Sequence, residues 1–404
     1  MNKNNDVTLC SSCGLCMTDT WSAEEGSQSC VFKTGWLGQK EIDLFGRERS
    51  IDDLDEASFG IARKRLVACI NDPVPGAAWS GVITSIAKKA FESGLVEAVM
   101  TLHRGGSYHF SPVPVLACST DDILAGSGNK PVLSPVLRSL GEAYEKGIKK
   151  LMVIGAGCHV HALRDFQKRF SYLKDMEIFI VGIPCVSNVT QKNLRVVLGL
   201  MSSSPDTVRH YEFMQDYTVH LKHESGRIEK LPYFSIPQEI TGINIVSKSC
   251  MCCFDYMNGL ADITVGYLGA PLNMKKLFQW ILVRTEKGEM LRDLIQADLV
   301  MGAESTRGDS SKSVKNGAKR IVEQMRPENE MPLKTGRKVP IWAGKILAAI
   351  LTRVGPSGLS YAHYAVDLHL IRDYHYVKFY HPELIDTLVP KSVYLVLEKY
   401  GFKP

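Results

Sequence analysis

The 404-residue sequence predicts an α/β fold of mixed α+β character, and three observations carry that reading. Apolar strand-like runs alternate with helix-like runs from about Ala57 to Thr190, the pattern of a mostly parallel sheet covered by helices. Residues 1 to about 50 are rich in Cys, Gly and Ser and lack a sustained helical period, which predicts a loop-rich segment. The chain closes on two helix-like stretches. Boundaries at 1–56, 57–300 and 301–404 follow from these shifts.

Helix-like Val82–Ser93 leads to strand-like Val96–Leu102, and a further apolar stretch spans Val113–Cys118. Helix-like Leu137–Lys146 precedes the strand Lys150–Ile154, and the helix Val160–Phe170 precedes the strand Glu177–Ile183. Tyr217–Leu221 and Arg227–Pro232 flank the turn sequence His223-Glu224-Ser225-Gly226 and predict an inserted β-hairpin. Strand and helix return in Asp262–Tyr267, Gln279–Arg284 and Glu289–Ala297. Gly302–Val339 is polar, basic and weakly periodic, so a long surface connection is expected. In the tail, Ala343–Arg353 and Leu359–Phe379 read as helices, the second crowded with Tyr361, Tyr364, Tyr374, Tyr376 and Phe379. Packing on the main body is the expected use of those rings, with a substrate lid as the alternative.

With 45% hydrophobic and 23% charged residues, the composition is that of a globular protein. The net charge of +5 suits docking of an acidic partner and is too small to argue for nucleic acid. No apolar run reaches the roughly 20 residues of a membrane span, because Ile341–Val354 is short and carries Lys345 and Arg353. No transmembrane segment is therefore expected, while peripheral membrane contact is compatible with the sequence. The start MNKNNDVTLC lacks the apolar run of a signal peptide, so a bacterial-type cytoplasmic protein or a processed form is expected.

Eleven cysteines decide the class of chemistry. An odd number without a secretory signal argues against a disulfide framework, and thiols at short spacing point to metal. Cys10, Cys13 and Cys16 form C-x2-C-x2-C, with Cys30 as the natural fourth ligand. Successive spacings of this kind wrap a loop around a compact inorganic core, so that three thiolates reach three corners of a [4Fe–4S] cubane. Zinc prefers two separated C-x2-C knuckles and stays as the alternative. A second set is dispersed: Cys158 in GAGCHV, Cys185 in GIPCVSN, and Cys250 with Cys253 in KSCMCCFDY. Cys158 and Cys185 each follow an apolar strand ending in Gly-rich sequence, which would bring both to the carboxyl edge of a parallel sheet, where open α/β folds bind ligands. These four complete a second cluster, with Cys252 as a rival to Cys250 or Cys253. Cys69 and Cys118 read as structural.

Cubanes exchange one electron at a time, whereas organic bonds are reduced by two. A flavin is the usual protein-bound group that holds the first electron until the second arrives. Gly76–Ser85 brings small and hydroxyl residues to a helix start, where free N–H groups can hold phosphate; an ordinary N-cap by Ser80 is the other reading. Gly126–Lys130, continuing through Ser134 and Pro135, suits a nucleotide or a surface loop. No G-x-G-x-x-G is present, so a nicotinamide site is not indicated.

In order along the chain, CSSCGLC, WSGVITSIA, KPVLSP, GAGCHVHALR, HYEFMQDYTVHLKHESGRIEKLPYFSIP and CMCCFDYMNGLADITVGYLGAP resemble the deazaflavin-reducing hydrogenase β-subunit family. Within it they are similar to the ferredoxin-dependent branch of chlorophyll-type vinyl and hydroxymethyl reductases. The resemblance implies FAD, two [4Fe–4S] clusters and reduced ferredoxin as electron donor. It implies that Cys10, Cys13, Cys16 and Cys30 serve one cluster in an N-terminal ferredoxin-like segment. Cys158, Cys185, Cys250 and Cys253 would serve the other in a central flavin domain, ahead of the basic linker and helical tail. FAD would lie against Trp79, Ser80, Gly81, Thr84, Ser85, Asn129, Lys130, Ser134 and Asn188, near His159.

The substrate implied is a chlorophyllide-type tetrapyrrole, reduced at its C8-vinyl group to ethyl. Reduction of a 7-hydroxymethyl group and electron input from a deazaflavin into a larger complex are the alternatives, and a non-enzymatic zinc or cluster-bearing module is a third. Asp255, Tyr256 and His159 are candidates to supply the proton, although Asp255 would serve equally as a helix cap. Association with photosynthetic membranes and a homo-oligomeric state are compatible with this branch.

Overall fold

The computed structural model describes residues 9–105, 110–241, 245–327 and 336–403. In chain order the strands are β1 (Lys64–Ile70), β2 (Ala98–Arg104), β3 (Pro112–Ala117), β4 (Lys150–Gly155) and β5 (Glu177–Gly182). Then come β6 (Val208–Phe213), β7 (Thr218–His223) and β8 (Ile228–Pro232), followed by β9 (Ile263–Gly266), β10 (Gln279–Val283) and β11 (Leu299–Met301). Eight of them form one sheet in the order β11-β1-β10-β9-β5-β4-β2-β3, while β6, β7 and β8 form a separate antiparallel sheet. The centre of the large sheet is parallel (β2, β4, β5, β9) and both flanks are antiparallel. Because β1 pairs antiparallel with β10, and β10 antiparallel with β9, strand β1 also follows the central direction. Five of the eight strands thus point the same way.

Side chains on a strand alternate between faces, and here both faces are covered. Val99, Met152, Phe179 and Val181 point to one core with the helices Val82–Glu92 and Glu286–Ile295. Their neighbours Ala98, Met100, Leu151, Val153, Ile178 and Ile180 point to the other, with Leu163 and Phe166 of the helix Gly157–Arg169. This second core also takes Leu15, Trp21 and Trp36 from the start of the chain and Ile371, Tyr374 and Leu397 from its end. The long tail helix Leu359–Tyr380 is mostly buried, which is why its rings show no clean apolar stripe.

Three expectations are corrected or extended. The segment before β1 is not all loop: between its turns it carries the short helices Ala23–Gln28, Val31–Thr34, Gln39–Phe45 and Leu54–Phe59. At four to seven residues each, these are too short to display a period, and capping by Ser22 and Asp53 fixes two of their starts. Nor is 302–339 a continuous surface connection, since Ser310–Met325 is a helix capped by the Asp309 carboxylate, with Val314, Ala318, Val322 and Met325 buried. Its apolar stripe is one residue wide and is hidden by Lys and Ser on the remaining face. The predicted hairpin stands as β7 and β8, and it gains a third strand, β6.

Candidate functional site

The strands that share a direction deliver their carboxyl ends to one edge, where open α/β sheets bind ligands. The β4 end enters the helix bearing Cys158 and His159, β5 runs into Cys185, β9 into Tyr267, and β1 into the loop that carries Trp79 and Gly81. A cavity of about 330 Å³ opens there, lined by Trp79, Gly81, Thr84, Asn129, Lys130, Ser134, His159, Asn188, Glu212, Tyr256 and Tyr267 among others. That size is at the small end of ligand pockets. Of the nine residues expected to hold FAD, Ser80 and Ser85 are absent from this wall. Ser80 is no N-cap either: its hydroxyl accepts from Ile70 N–H at 3.1 Å and donates to Gln279 Oε1 at 3.1 Å, tying β1 to β10. The cap of helix Val82–Glu92 is Gly81, at φ 89° with no side-chain hydrogen bond, a left-handed conformation that favours glycine.

One end of the cavity is cationic. Lys130 is half-buried and donates to the carbonyls of Gly126 and Ser127; desolvation and Arg104 together depress its ammonium to about 7. Arg104 stands behind Gly128, where a side chain would come within 2.9 Å of its Nη2. His210 faces the same cations, is lowered to about 4 chiefly by burial, and has a buried Nδ1 without a partner. Among the described residues neither Arg104 nor Lys130 has a carboxylate partner, so the like charges call for an anion. A flavin nucleotide fits this arrangement through its phosphates, with glycines 126 and 128 letting the backbone approach.

The opposite wall is aromatic. Trp79 stacks on Tyr267 at 4.8 Å between centroids, and its indole N–H donates to Glu212 Oε1 at 2.8 Å. Burial raises the Glu212 carboxyl to about 7 against the pull of that bond. Glu212 was not singled out in the sequence, where it reads as one polar position in a strand.

A second, smaller chamber is lined by Cys158, Cys185, Cys250 and Cys253 together with Ser11, Phe32 and Trp36. Ala156, Cys185, Val186, Ser187 and Asn188 belong to the walls of both spaces. Burial, then the charge of Cys250, pushes the Cys185 thiol up to about 12; Cys158 and Cys253 are likewise pushed up, by burial first. Asn188 donates its backbone N–H to Cys250 Sγ at 3.3 Å and its side-chain amide to Cys185 Sγ at 3.5 Å. Such bonds are the means by which a protein sets cluster potential. Cys252 is fully buried outside this wall, in the apolar core.

The first cysteine group adjoins the second. Burial and the charges of Cys30, Cys16 and Cys10 raise Cys13 to about 12, and Cys13 in turn acts on Cys158. Among the described residues no His, Cys, Asp or Glu side chains close on a point as ligands of a single ion. Four sulfurs on a cubane each bind a different iron and stand wider than four around one ion, so all-thiol sets ringing a space fit a cluster. Of the two cysteines read as structural, Cys69 is buried and Cys118 is exposed.

The three candidate proton sources are placed differently. Asp255 faces the thiol chamber and is occupied: His161 Nε2 lies 2.8 Å from Oδ2, and Gly259 N–H donates to both oxygens. His159 accepts from Ala156 N–H through Nδ1 and donates through Nε2 to Ser134 O, so both ring nitrogens are used, and burial lowers it to about 4. Tyr256 lines the large cavity, and its hydroxyl makes no hydrogen bond among the described residues; burial raises its pKa. The tail adds residues that sequence reading missed: Asp373 accepts from Cys253 N–H at 3.3 Å and pairs with half-buried Arg372 at 2.6 Å, while His369 reaches Cys253 O at 2.9 Å. Their signal was His369 and Asp373 four residues apart, a spacing that His363 and Asp367 repeat six residues earlier in the same helix.

Two family models of the coenzyme F420 hydrogenase/dehydrogenase β subunit match, that of its amino-terminal part at residues 66–141 and that of its carboxyl-terminal part at residues 148–307. An uncharacterized protein from Nostoc sp. is 38% identical over 97% of this chain and 93% of its own length. The chloroplastic 7-hydroxymethyl chlorophyll a reductase of Oryza sativa subsp. japonica is 36% identical over 97% of this chain and 82% of its own length. A chain of the F420-reducing [NiFe] hydrogenase complex from Methanosarcina barkeri shares the fold, with a TM-score of 0.54 and 24% identity over 61% of this chain and 83% of that one. With motifs, sheet and sequence similarity in accord, the chain belongs to the coenzyme F420 hydrogenase/dehydrogenase β-subunit family.

Proposed function

We propose that this protein is a ferredoxin-dependent iron–sulfur flavoenzyme that reduces the C8-vinyl group of a divinyl chlorophyllide or protochlorophyllide to ethyl, an oxidoreductase acting on a CH–CH bond. The observation that carries the reading is the shared wall Cys185–Asn188, which sets a four-thiol chamber directly against the large cavity. Bound there, FAD would supply two-electron reduction and two [4Fe–4S] clusters would supply electrons singly.

Cys10, Cys13, Cys16 and Cys30 would hold one cluster, and Cys158, Cys185, Cys250 and Cys253 the other. Trp79, Gly81, Thr84, Asn129, Lys130, Ser134 and Asn188 would hold the flavin, with Arg104 and Lys130 neutralising its phosphates. Ile183, Val186 and Phe213, which are 40%, 39% and 39% exposed, give the cavity an apolar rim suited to the flat face of a tetrapyrrole. Tyr256 keeps its proton because burial raises it, and its free hydroxyl can donate into the cavity. The net charge of +5 suits an acidic donor such as reduced ferredoxin.

Reduction of a 7-hydroxymethyl chlorophyll is the second reading, favoured by the 36% identity to the rice reductase over 97% of the chain. Anaerobically purified protein should contain iron, sulfide and FAD. Given reduced ferredoxin, it should convert divinyl chlorophyllide to a product two hydrogens heavier. Reduction of the hydroxymethyl pigment alone would replace the first reading with the second, and a fully loaded protein inert toward both would end the pigment assignment.

A further inference from the structure

The helix Ile341–Val354 presents an apolar stripe to solvent. Trp342, Ile346, Ile350 and Val354 recur every fourth residue and are 69%, 55%, 51% and 65% exposed. At 1.5 Å per residue the stripe is about 18 Å long. Its opposite side is small: Gly344 and Ala348 are the buried positions, and a side chain at 344 would collide with Ser235 Oγ. The helix is therefore pressed onto β8 and the turn after it by its glycine, and its large residues are left outside. A second tie is Thr352 Oγ1, which donates to Asp216 O at 3.1 Å. An apolar surface of this extent, held rigidly outward, marks an interaction site.

Charge selects the partner. Between Gly336 and Val354 there are four cations, Arg337, Lys338, Lys345 and Arg353, and no acidic residue. Among the described residues Lys338, Lys345 and Arg353 have no ion-pair partner. A second copy docked stripe to stripe by a two-fold axis would set Lys345 and Arg353 against their own kind, which disfavours self-association. Acidic headgroups over a hydrocarbon layer match both features, and a Trp at one end of the stripe suits the lipid interface. Among the described residues no helix is long and apolar enough to cross a membrane, so this one would lie in the surface plane.

We propose that Ile341–Val354 docks this protein on an anionic bilayer, its Trp342–Val354 stripe entering the headgroup region and its cations contacting acidic lipid. The helix rides on β8 of the same small sheet whose far-edge strand β6 supplies Tyr211, Glu212 and Phe213 to the cavity wall. The inference does not depend on which pigment is reduced.

Flotation of the full-length protein with vesicles tests it. Binding is expected to mixed phosphatidylcholine and phosphatidylglycerol vesicles, with about tenfold loss on raising salt or in the K345E/R353E variant. The W342E/I350E variant should lose binding by about tenfold or more. All four substituted positions are exposed, and circular dichroism checks that both variants fold. Absence of wild-type flotation, or unchanged flotation of W342E/I350E, overturns the proposal. So does a wild-type oligomer in sedimentation that falls to monomer in W342E/I350E, because a second copy would then cover the stripe.

Discussion

Glu212 is the one carboxylate among the described residues that line the large cavity, and it is held there by Trp79, whose indole N–H reaches Oε1 at 2.8 Å across 133 residues of sequence. The pair joins the start of one helix to the inserted sheet, and it makes the side chain's protonation depend on burial.

This gives a pH prediction with a definite sign. The Glu212 carboxyl moves from 4.5 up to about 7 on folding, so the folded state binds its proton more tightly than the unfolded chain. The resulting stability is fully present below about pH 4.5 and is lost as pH rises through about 7. Glu212→Gln should remove on the order of 2 kcal/mol of the decline between pH 5 and pH 8, read from urea midpoints. Equal pH profiles for the two proteins would show that the site is wetter than its geometry indicates.

Tyr256→Phe removes a hydroxyl that nothing else in the cavity engages, so stability should hardly change. Under the proposed function, turnover should fall by about a hundredfold or more while substrate KM and flavin content stay level. An unchanged kcat would pass the proton role to Glu212 or to solvent.

The cysteines separate by position. Cys185→Ala should remove about half of the iron, because one of two four-thiol sets is broken. Cys252→Ala should leave the iron content unchanged and cost about 1–2 kcal/mol as a cavity in packed core. Iron and sulfide analysis of both variants, beside thermal denaturation, distinguishes ligand from core residue.

Arg104→Gln tests the cationic end. In the flavin-free protein it relieves the repulsion that depresses Lys130, so the melting temperature should hold or rise. Flavin retention through gel filtration should fall about tenfold. A loss of stability without loss of flavin would assign Arg104 to the scaffold.

Much of this was readable in the sequence, and the reason is physical. Strand-edge glycines before Cys158 and Cys185 announced the binding edge because continuous apolar runs set the strands, and strand direction then set the edge. Glu212, Arg104 and Arg372 were not readable, since each becomes functional through a partner more than a hundred residues away or through burial that no local pattern records. Ser80 shows the converse. Its local context suggests a cap, yet a bond to Gln279 on a neighbouring strand takes its hydroxyl.

Cys185, Val186, Ser187 and Asn188 form a partition with one face toward the thiol chamber and the other toward the large cavity. With no intervening layer of residues, a substitution in this tetrad perturbs both compartments together, and a change in one compartment's behaviour cannot be engineered there in isolation. Substitution at these four positions is accordingly constrained twice over, once by each compartment.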